Sequence, residues 1–362
     1  MSEGRMEALG YARAACDTIM RKYEAEKLPP VDRFHYHQGV FLSGMNKIYS
    51  LTGNADYFAY IKGWVDSQID ENGNIKNYDD GQLDDMQSGI LLYPLIDNTG
   101  DSRYQRALDM IVPKIYEFPK TEEGGFWHMR TLPHQMWLDG LYMGGPICAE
   151  YGYRYHKTEY IELVIKQILL MIEKTRDEET GLLYHAWDES RSEPWADKET
   201  GCSPEFWGRS VGWVPVAITD DLDFISSDHP EYKKICEILC SLLDAVCKVQ
   251  SEEGRWYQVL NKGGLEGNWL ETSCSCLFVA AICKAVRKGI LGAEYLRFAK
   301  KGYEAVIHSL EWDGDDILIG NVCIGTGVGD YKYYCDRPVV VNDLHGMGAF
   351  LIMCAEYCRV SR

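Results

Sequence analysis

Two kinds of apolar segment alternate along the chain, and the first kind is amphipathic. In residues 160–169, for example, apolar side chains recur three and four positions apart, which is the spacing of one helix face. A further segment of this kind runs from about residue 7 to residue 23. The other five open with a polar turn that leads into a tyrosine, at Tyr57, Tyr104, Tyr160, Tyr232 and Tyr295. The pattern predicts six helices, each with one buried face.

The second kind of segment is more uniformly apolar and contains small residues. Six of these segments begin near His37, Asp85, Gly140, Arg209, Thr272 and Asp343. They repeat with a period of roughly 50–70 residues, which indicates a helical-hairpin repeat. Amphipathic helices that alternate with nearly all-apolar ones favour two concentric layers with the apolar set inside. We therefore predict an all-α fold, an (α/α)6 toroid of six helical hairpins, with residues 1–362 as a single domain.

The composition is that of a globular chain of 362 residues, with 46% hydrophobic residues and no apolar run of membrane-spanning length. The first residues lead into an amphipathic segment rather than into the apolar block of a signal peptide. Many of the 13 cysteines, such as Cys148, Cys283 and Cys354, lie inside apolar segments. Such thiols are small buried hydrophobic groups, typical of a reducing compartment. We therefore expect a cytoplasmic protein without membrane contact.

The formal net charge of −18 bears on the ligands that the protein can bind. Nucleic-acid phosphates require a basic surface, so nucleic acid is not an expected partner. A small anionic ligand would need a local cationic pocket that acts against the field of the whole protein. The close cysteine pair, Cys274 and Cys276, lacks partners at the spacing of a zinc site, so we predict no metal.

Two short motifs place a carboxylate at the start of an apolar segment. Residues 83–89 resemble a shortened copy of residues 137–144, with Asp84 in the place of Asp139. An aspartate suits a helix N-terminus because its carboxylate accepts otherwise unpaired backbone N–H groups, so one interpretation is two ordinary caps. The alternative hypothesis is a pair of functional carboxylates, which equivalent helix starts hold at one mouth of the toroid.

An arginine between two tryptophans is the densest aromatic motif. Arg209 follows Trp207 by two positions and precedes Trp213 by four, so Arg209 and Trp213 share one face of a helix start. One interpretation is cation–π packing in a structural corner. The other is a sugar-binding platform, because flat rings stack on sugars and guanidinium binds carboxylates. Six of the nine histidines also fall in loops or first turns at the expected mouth: His35, His37, His128, His134, His185 and His345.

Together, these motifs resemble those of the unsaturated rhamnogalacturonyl hydrolases, glycoside hydrolase family 105. The resemblance rests on residues 35–39, 83–86, 125–128, 137–143, 206–213 and 341–346, and it covers the chain from about residue 30 to its C-terminus. It implies the (α/α)6 toroid and no metal or organic cofactor. It also implies cleavage of a terminal 4,5-unsaturated galacturonic acid from small rhamnogalacturonan oligosaccharides, the products of lyases in pectin degradation.

The resemblance also implies roles for individual residues. Asp139 corresponds to the catalytic general acid and base, and Asp84 to the second active-site carboxylate, with Asp85 as the less favoured register. The substrate-binding set corresponds to Tyr36, His37, His128, His185, Trp207, Arg209 and Trp213. Some family members carry a basic residue directly after the equivalent of His128, where this chain has Met129. The contacts to the leaving sugar are therefore left open.

The implied reaction places a demand on the acid. The substrate contains an enol ether, so protonation of C4 creates a cation at C5, to which water adds. A carboxylic acid that donates this proton near neutral pH needs a raised pKa. We expect burial among Trp137, Trp207 and Trp213, together with the neighbouring carboxylate, to raise the pKa of Asp139.

Three other functions are compatible with the sequence. An unsaturated glucuronyl hydrolase that acts on glycosaminoglycan fragments would share the fold and the chemistry and differ in the pocket for the leaving sugar. A sugar epimerase-type toroid would use histidines as acid and base on saturated sugars. A non-catalytic carbohydrate-binding toroid would keep its function when Asp139 is replaced by Asn.

Overall fold

The computed structural model describes residues 3–361, and most of them lie in helices that form two layers. The outer layer contains α1 (Glu3–Lys22), α3 (Ala55–Gln68), α5 (Ser102–Tyr116), α7 (Thr158–Thr175), α9 (Tyr232–Lys248) and α11 (Leu296–His308). The inner layer contains α2 (Tyr36–Thr52), α4 (Leu92–Thr99), α6 (Gly140–Arg154), α8 (Gly208–Asp221), α10 (Thr272–Arg287) and α13 (Leu344–Val360). Four inner helices, α6, α8, α10 and α13, are buried along almost their whole length, whereas the outer helices bury one side.

The inner helices form a closed ring. Helix α2 packs against α13, and the ring continues through α10, α8 and α6 to the turns before α4, which pack against α2 again. Each amphipathic helix leads into a more buried one, as the alternating sequence pattern predicts. The prediction of an (α/α)6 toroid is confirmed.

Turns in the sequence explain where inner helices end and outer helices begin. Gly53 ends α2 and Gly100 ends α4 with φ angles of 68° and 67°, in the left-handed region that favours glycine. The following outer helix begins two residues after each glycine, at Ala55 and at Ser102. Asn54 and Asp101 accept hydrogen bonds from the backbone N–H two positions further on, which satisfies a donor that the helix itself leaves unpaired.

The second inner segment differs from the continuous helix predicted for it. Leu83–Asp85 and Gln87–Leu91 form 3-10 turns before α4 begins. Pro94 explains the late start, because its ring would clash with the carbonyl oxygen of Ile90 and it lacks the N–H that a longer α-helix requires. Asp84 therefore lies in a tight turn rather than at the start of an α-helix.

Short antiparallel strand pairs lie in the loops that lead to the inner helices. In the first pair Trp137 lies opposite Ala186, which ties the loop before α6 to the loop before α8. A short helix, α12 (Tyr331–Cys335), lies between the strands of the last pair. The pairs are β1 (Gln135–Trp137) with β2 (Ala186–Asp188), β3 (Trp256–Tyr257) with β4 (Leu270–Glu271), β5 (Glu311–Asp313) with β6 (Asp316–Leu318), and β7 (Val322–Cys323) with β8 (Val339–Val340).

Two expectations from composition can be compared with the structure. The cysteines of the inner helices, among them Cys148, Cys283 and Cys354, are buried in the core as predicted. Within residues 3–361, no helix combines the length and the hydrophobicity that a membrane span requires.

Candidate active site

The looped end of the toroid contains a cavity of about 330 Å³. Its wall is formed by the first turns of α2, α6 and α8 and by the loop between β7 and α12. The residues that line it are His35, Tyr36, His37, Asp84, His128, Met129, Trp137, Asp139, Met143, Trp207, Arg209, Trp213, Gly325, Thr326 and Gly327. Eight of the nine predicted site residues are in this set, and His185 is the exception.

The two aspartates of the related motifs meet in this cavity, and neither one is a helix cap. Asp139 precedes α6 with a helical backbone conformation, and its side chain makes no capping hydrogen bond. Asp84 Oδ1 and Asp139 Oδ2 are both buried and accept no aligned hydrogen bond. Buried carboxylate oxygens normally have partners, so these two are available to a ligand.

Asp85 serves a different purpose from Asp84. Its carboxylate accepts hydrogen bonds from Arg33 Nε and Nη2, both at 3.2 Å, and from Gln82 Nε2 at 2.8 Å. Asp85 does not line the cavity, whereas Asp84 does. The structure therefore identifies Asp84 as the second carboxylate of the cavity.

A histidine accompanies each carboxylate of the pair. His128 Nε2 lies 3.7 Å from Asp84 Oδ1, and the His128 ring stacks on Trp137 at 4.3 Å between centroids. His185 Nε2 lies 3.2 Å from Asp139 Oδ2. His185 is fully buried behind Asp139 and does not line the cavity itself, so its contact with the sugar stays a prediction. Burial lowers the pKa of His128 to about 4, so this ring is neutral at physiological pH.

The environments of the two carboxyls move their pKa values apart. Burial, followed by the negative charges of Asp139 and Asp85, raises the pKa of Asp84 well above its usual range. Burial would also raise the pKa of Asp139, but the contact with His185 Nε2 outweighs burial, and the pKa of Asp139 is lowered. The expectation of a raised pKa for Asp139 is therefore wrong. Of the two carboxyls, Asp84 is the one whose environment favours the protonated form.

Arg209 combines both predicted interpretations of its motif. Its guanidinium carbon lies 5.2 Å from the centre of the Trp207 ring, and Nη2 donates to the carbonyl oxygens of Cys323 and Ile324. These contacts belong to a structural corner. The Nε and Nη1 atoms, however, are buried without a partner in a side chain that is 2% exposed. The unpaired donors leave Arg209 able to bind an anion in the cavity.

Buried partners hold the tryptophans of the cavity in place. The indole N–H of Trp207 donates to Gln258 Oε1 at 3.1 Å, and Gln258 Nε2 in turn donates to the carbonyl oxygen of Tyr334 at 3.1 Å. Trp213 stacks on Tyr142, with 4.5 Å between ring centroids. Both indole rings are therefore rigid apolar walls for a flat ligand.

Asp343 and His345 lie next to the predicted site residue His37 and were not themselves assigned to the site from sequence. His37 Nε2 and His345 Nδ1 lie 3.6 and 2.7 Å from Asp343 Oδ1, so two imidazoles and a carboxylate could hold a metal ion. The positive charge of Arg209 acts against a cation there, since after burial it is the next cause that lowers the pKa of His345, to about 3. The cluster fits a hydrogen-bonded wall of the cavity better than a metal centre.

Sequence reasoning also missed the loop with Gly325, Thr326 and Gly327. The signal for it was present, because glycines at alternate positions 325, 327 and 329 are typical of backbone that approaches a ligand closely. Tyr334 contacts His185 from behind, and nothing in the sequence distinguishes it from the other tyrosines.

An all-α toroid with two carboxyls, two tryptophans and an arginine with unpaired N–H groups at one mouth is the arrangement expected of a glycoside hydrolase that acts on uronates. The model of Glycosyl Hydrolase Family 88 matches residues 11–361. A family 105 glycoside hydrolase from C. acetobutylicum ATCC 824 is 34% identical, with a TM-score of 0.92 over 96% of this chain and 99% of that one. The chain belongs to the unsaturated uronate glycoside hydrolases of families 88 and 105.

Two further relatives have names that state a substrate. The unsaturated rhamnogalacturonyl hydrolase YesR of Bacillus subtilis is 27% identical over 296 residues, which is 80% of this chain and 79% of YesR. The unsaturated glucuronyl hydrolase of Bacillus sp. GL1 superposes with a TM-score of 0.72 over 97% of this chain and 96% of that one. At 15% identity, the second comparison shows a shared fold alone.

Proposed function

We propose that the protein removes the terminal 4,5-unsaturated galacturonic acid from rhamnogalacturonan oligosaccharides by hydration of its C4=C5 bond. The observation that carries the proposal is the pair of Asp84 and Asp139, two carboxyls with pKa values shifted in opposite directions, in a cavity that Arg209 also lines. A single proton on a carboxyl pair suits the protonation of an enol ether. The unpaired nitrogens of Arg209 suit the substrate carboxylate, which is conjugated to that enol ether.

Each step of the reaction has a group in the cavity. The uronate carboxylate binds Arg209 while its ring lies against Trp207 or Trp213. A proton from the carboxyl pair forms the new C4–H bond, and the ring oxygen stabilises the cation left at C5. Water adds its oxygen to C5 and returns a proton to the pair. The hemiketal then opens at the bond between C5 and the ring oxygen, and the hemiacetal formed at C1 releases the leaving sugar.

Within the pair we assign the general acid and base role to Asp139. The raised pKa of Asp84 favours its protonated form, so Asp84 acts as the proton store for its neighbour. His185 faces Asp139 and stabilises the carboxylate that remains after the proton has moved to C4. Asp139 then accepts a proton from the attacking water.

The leaving sugar is assigned by similarity and by charge. YesR, whose name states a rhamnogalacturonyl substrate, supports a neutral leaving sugar such as rhamnose. Among the described residues that line the cavity, Arg209 is the sole Lys or Arg side chain, and Met129 occupies the position where some relatives carry a base. A sulfated glycosaminoglycan fragment would meet no counter-charge beyond the uronate-binding arginine.

The test is a panel of lyase-generated oligosaccharides, monitored by the ultraviolet absorbance of the conjugated enol ether. We expect loss of absorbance with rhamnogalacturonan fragments and much slower loss with sulfated glycosaminoglycan fragments. In heavy water, NMR of the early product should show deuterium at C4. Turnover that leaves C4 unlabelled would refute hydration, and faster turnover of glucuronyl fragments would instead support the glucuronyl hydrolase alternative.

A further inference from the structure

A chain of buried hydrogen-bonding groups runs from the glycine loop to the carboxylate pair. The backbone N–H of Gly329 donates to the hydroxyl oxygen of Tyr334 at 3.2 Å. That hydroxyl lies 2.7 Å from His185 Nδ1, and His185 Nε2 lies 3.2 Å from Asp139 Oδ2. Tyr334 and His185 are both fully buried. The sugar chemistry proposed above does not itself require Tyr334.

The hydrogen-bond partners of Tyr334 and His185 determine which of their atoms carry protons. Burial raises the pKa of the Tyr334 phenol well above its usual range, so the phenol is protonated. Its oxygen already accepts the N–H of Gly329, so its own proton is free to be donated to His185 Nδ1. A neutral imidazole that accepts at Nδ1 carries its proton at Nε2, the nitrogen that faces the Asp139 carboxylate.

We propose that Tyr334 is a positioning residue that fixes the Nε2–H tautomer of His185 and thereby directs an N–H group at Asp139. The effect of this arrangement on turnover rests on the proposed function, whereas the tautomer itself does not. The opposite tautomer would place the Nε2 lone pair against the Asp139 carboxylate and disfavour its charged form. Tyr334 therefore sets how readily Asp139 gives up a proton and how well its carboxylate is stabilised afterwards.

The same hydroxyl couples the carboxylate pair to the wall of the cavity. Gly325 and Gly327 line the cavity, and Gly329 of the same loop is held by Tyr334. The neighbouring Tyr333 holds this loop in a parallel way, since its hydroxyl accepts the N–H of Gly327 at 3.2 Å. No hydrogen bond joins Tyr333 to a histidine in the described part of the chain. The two adjacent tyrosines therefore separate an anchoring role from a tautomer-setting role.

The test compares Tyr334→Phe with the matched control Tyr333→Phe. Phenylalanine keeps the ring that stacks on Trp207 and removes only the hydroxyl. For Tyr334→Phe we expect kcat to fall about tenfold with little change in KM, the loss of one hydrogen bond. We also expect the alkaline limb of the pH profile of kcat/KM to move to higher pH, because the carboxyl pair holds its proton more tightly. For Tyr333→Phe we expect an unchanged pH profile.

Nitrogen-15 NMR of histidine-labelled protein provides a readout that needs no substrate. We expect the Nε2–H tautomer for His185 in the wild type and in Tyr333→Phe, and a mixed or reversed tautomer in Tyr334→Phe. An Nδ1–H tautomer in the wild type, or an unchanged tautomer and pH profile in Tyr334→Phe, would overturn the proposal. If the protein does not act on unsaturated uronates, the NMR result still decides the tautomer.

A double-mutant cycle keeps the proposal testable if Tyr334→Phe is unstable. Tyr334→Phe should cause no further shift of the pH profile in a His185→Gln background, because the imidazole through which it acts is absent. Melting temperatures measured in parallel report any loss of packing. If Tyr334→Phe shifts the pH profile equally in the wild type and in His185→Gln, then Tyr334 does not act through the imidazole, and its positioning role is contradicted.

Discussion

The two ends of the toroid contain cavities of similar size, about 330 Å³ at the looped mouth and about 320 Å³ at the C-terminal ends of the inner helices, but their charges are organised differently. At the mouth, buried atoms of Asp84, Asp139 and Arg209 lack hydrogen-bond partners. At the other end, the charged residues that line the cavity are all paired, for example Arg154 with Asp97 and Glu150. Met143 lines both cavities and separates them.

Pairing therefore distinguishes a functional cavity from a structural one better than volume does. Lys284, 4% exposed, bridges Asp220 at the end of α8 to Asp223 in the following turn and so fastens α10 to α8. Such a network stabilises helix ends and leaves little for a ligand to gain. Unpaired buried groups cost stability, and a protein keeps them where a ligand or a reaction uses them.

The largest effect that this comparison predicts is on turnover. Asp139→Asn should lower kcat by about 10²- to 10⁴-fold, because it removes a positioned acid and base. Substrate affinity and melting temperature should change little, because asparagine keeps the shape of the side chain and an oxygen that can face His185 Nε2. Steady-state kinetics on the enol-ether substrate measures the first effect and thermal unfolding the second. Near-normal turnover would remove Asp139 from the mechanism.

The equivalent change at the opposite end should act on stability instead. Asp220→Asn removes one partner of the buried Lys284, which keeps Asp223, so we expect a loss of about 2–3 kcal/mol in the free energy of unfolding. Chemical denaturation measures this loss, and kcat of the folded variant should stay close to wild type. A large fall in kcat without loss of stability would contradict the prediction that this end of the toroid contributes to stability and not to turnover.

Arg209 lies between these two extremes, because it both supports a corner and faces the cavity. Arg209→Ala should raise KM for the unsaturated uronate about 30-fold, equivalent to about 2 kcal/mol of a buried charged contact. Arg209→Lys is the matched control, since it keeps the charge but loses the fork that binds a carboxylate, and it should recover affinity only in part. If Arg209→Ala unfolds the protein while the folded remainder binds normally, the arginine is structural.

The features that sequence could predict are local or repeated. The toroid follows from the periods of the amphipathic and apolar segments and from turns such as those at Gly53 and Gly100. These features depend only on residues that are close together in the sequence. The carboxylate pair could be predicted because two equivalent inner segments of a closed repeat begin at the same mouth, although Asp84 lies in a 3-10 turn and not at a helix start. Asp84 and Asp139 are far apart in sequence, but the repeat brings them together.

The features that sequence could not predict depend on long-range contacts. His185 is placed behind Asp139 by the pairing of β1 with β2, and its contact with Tyr334, 149 positions away, brings α12 against the loop before α8. The contact with His185 also decides the direction in which the pKa of Asp139 moves. Burial raises the pKa of both, and a histidine that cannot be located from sequence lowers one of them.

The smallest predicted effect concerns the pH dependence of stability, and its sign differs between the two ends. The pKa of Asp84 is raised in the folded protein, so the folded state binds this proton more tightly than the unfolded state does. Protonated Asp84 makes its full contribution to stability below the pKa that it has in the unfolded state. This contribution is lost as pH rises through the pKa that it has in the folded state. Asp84→Asn, neutral at every pH, should therefore gain stability over wild type as pH rises, by an amount on the order of 1–2 °C in Tm.

Asp220→Asn provides the opposite case for comparison. Burial raises the pKa of Asp220, but the charges of Lys284 and Lys47 outweigh burial and lower this pKa to about 2. The ionised carboxylate therefore stabilises the folded state above the unfolded pKa, and this stabilisation is lost as pH falls toward 2. At neutral pH, Asp220→Asn should have a lower Tm than wild type and Asp84→Asn a higher one. Both differences from the wild-type Tm should become smaller in acid. Thermal scans of both variants and wild type across pH test this. Parallel trends in the two variants would mean that Asp84 is ionised in the folded protein.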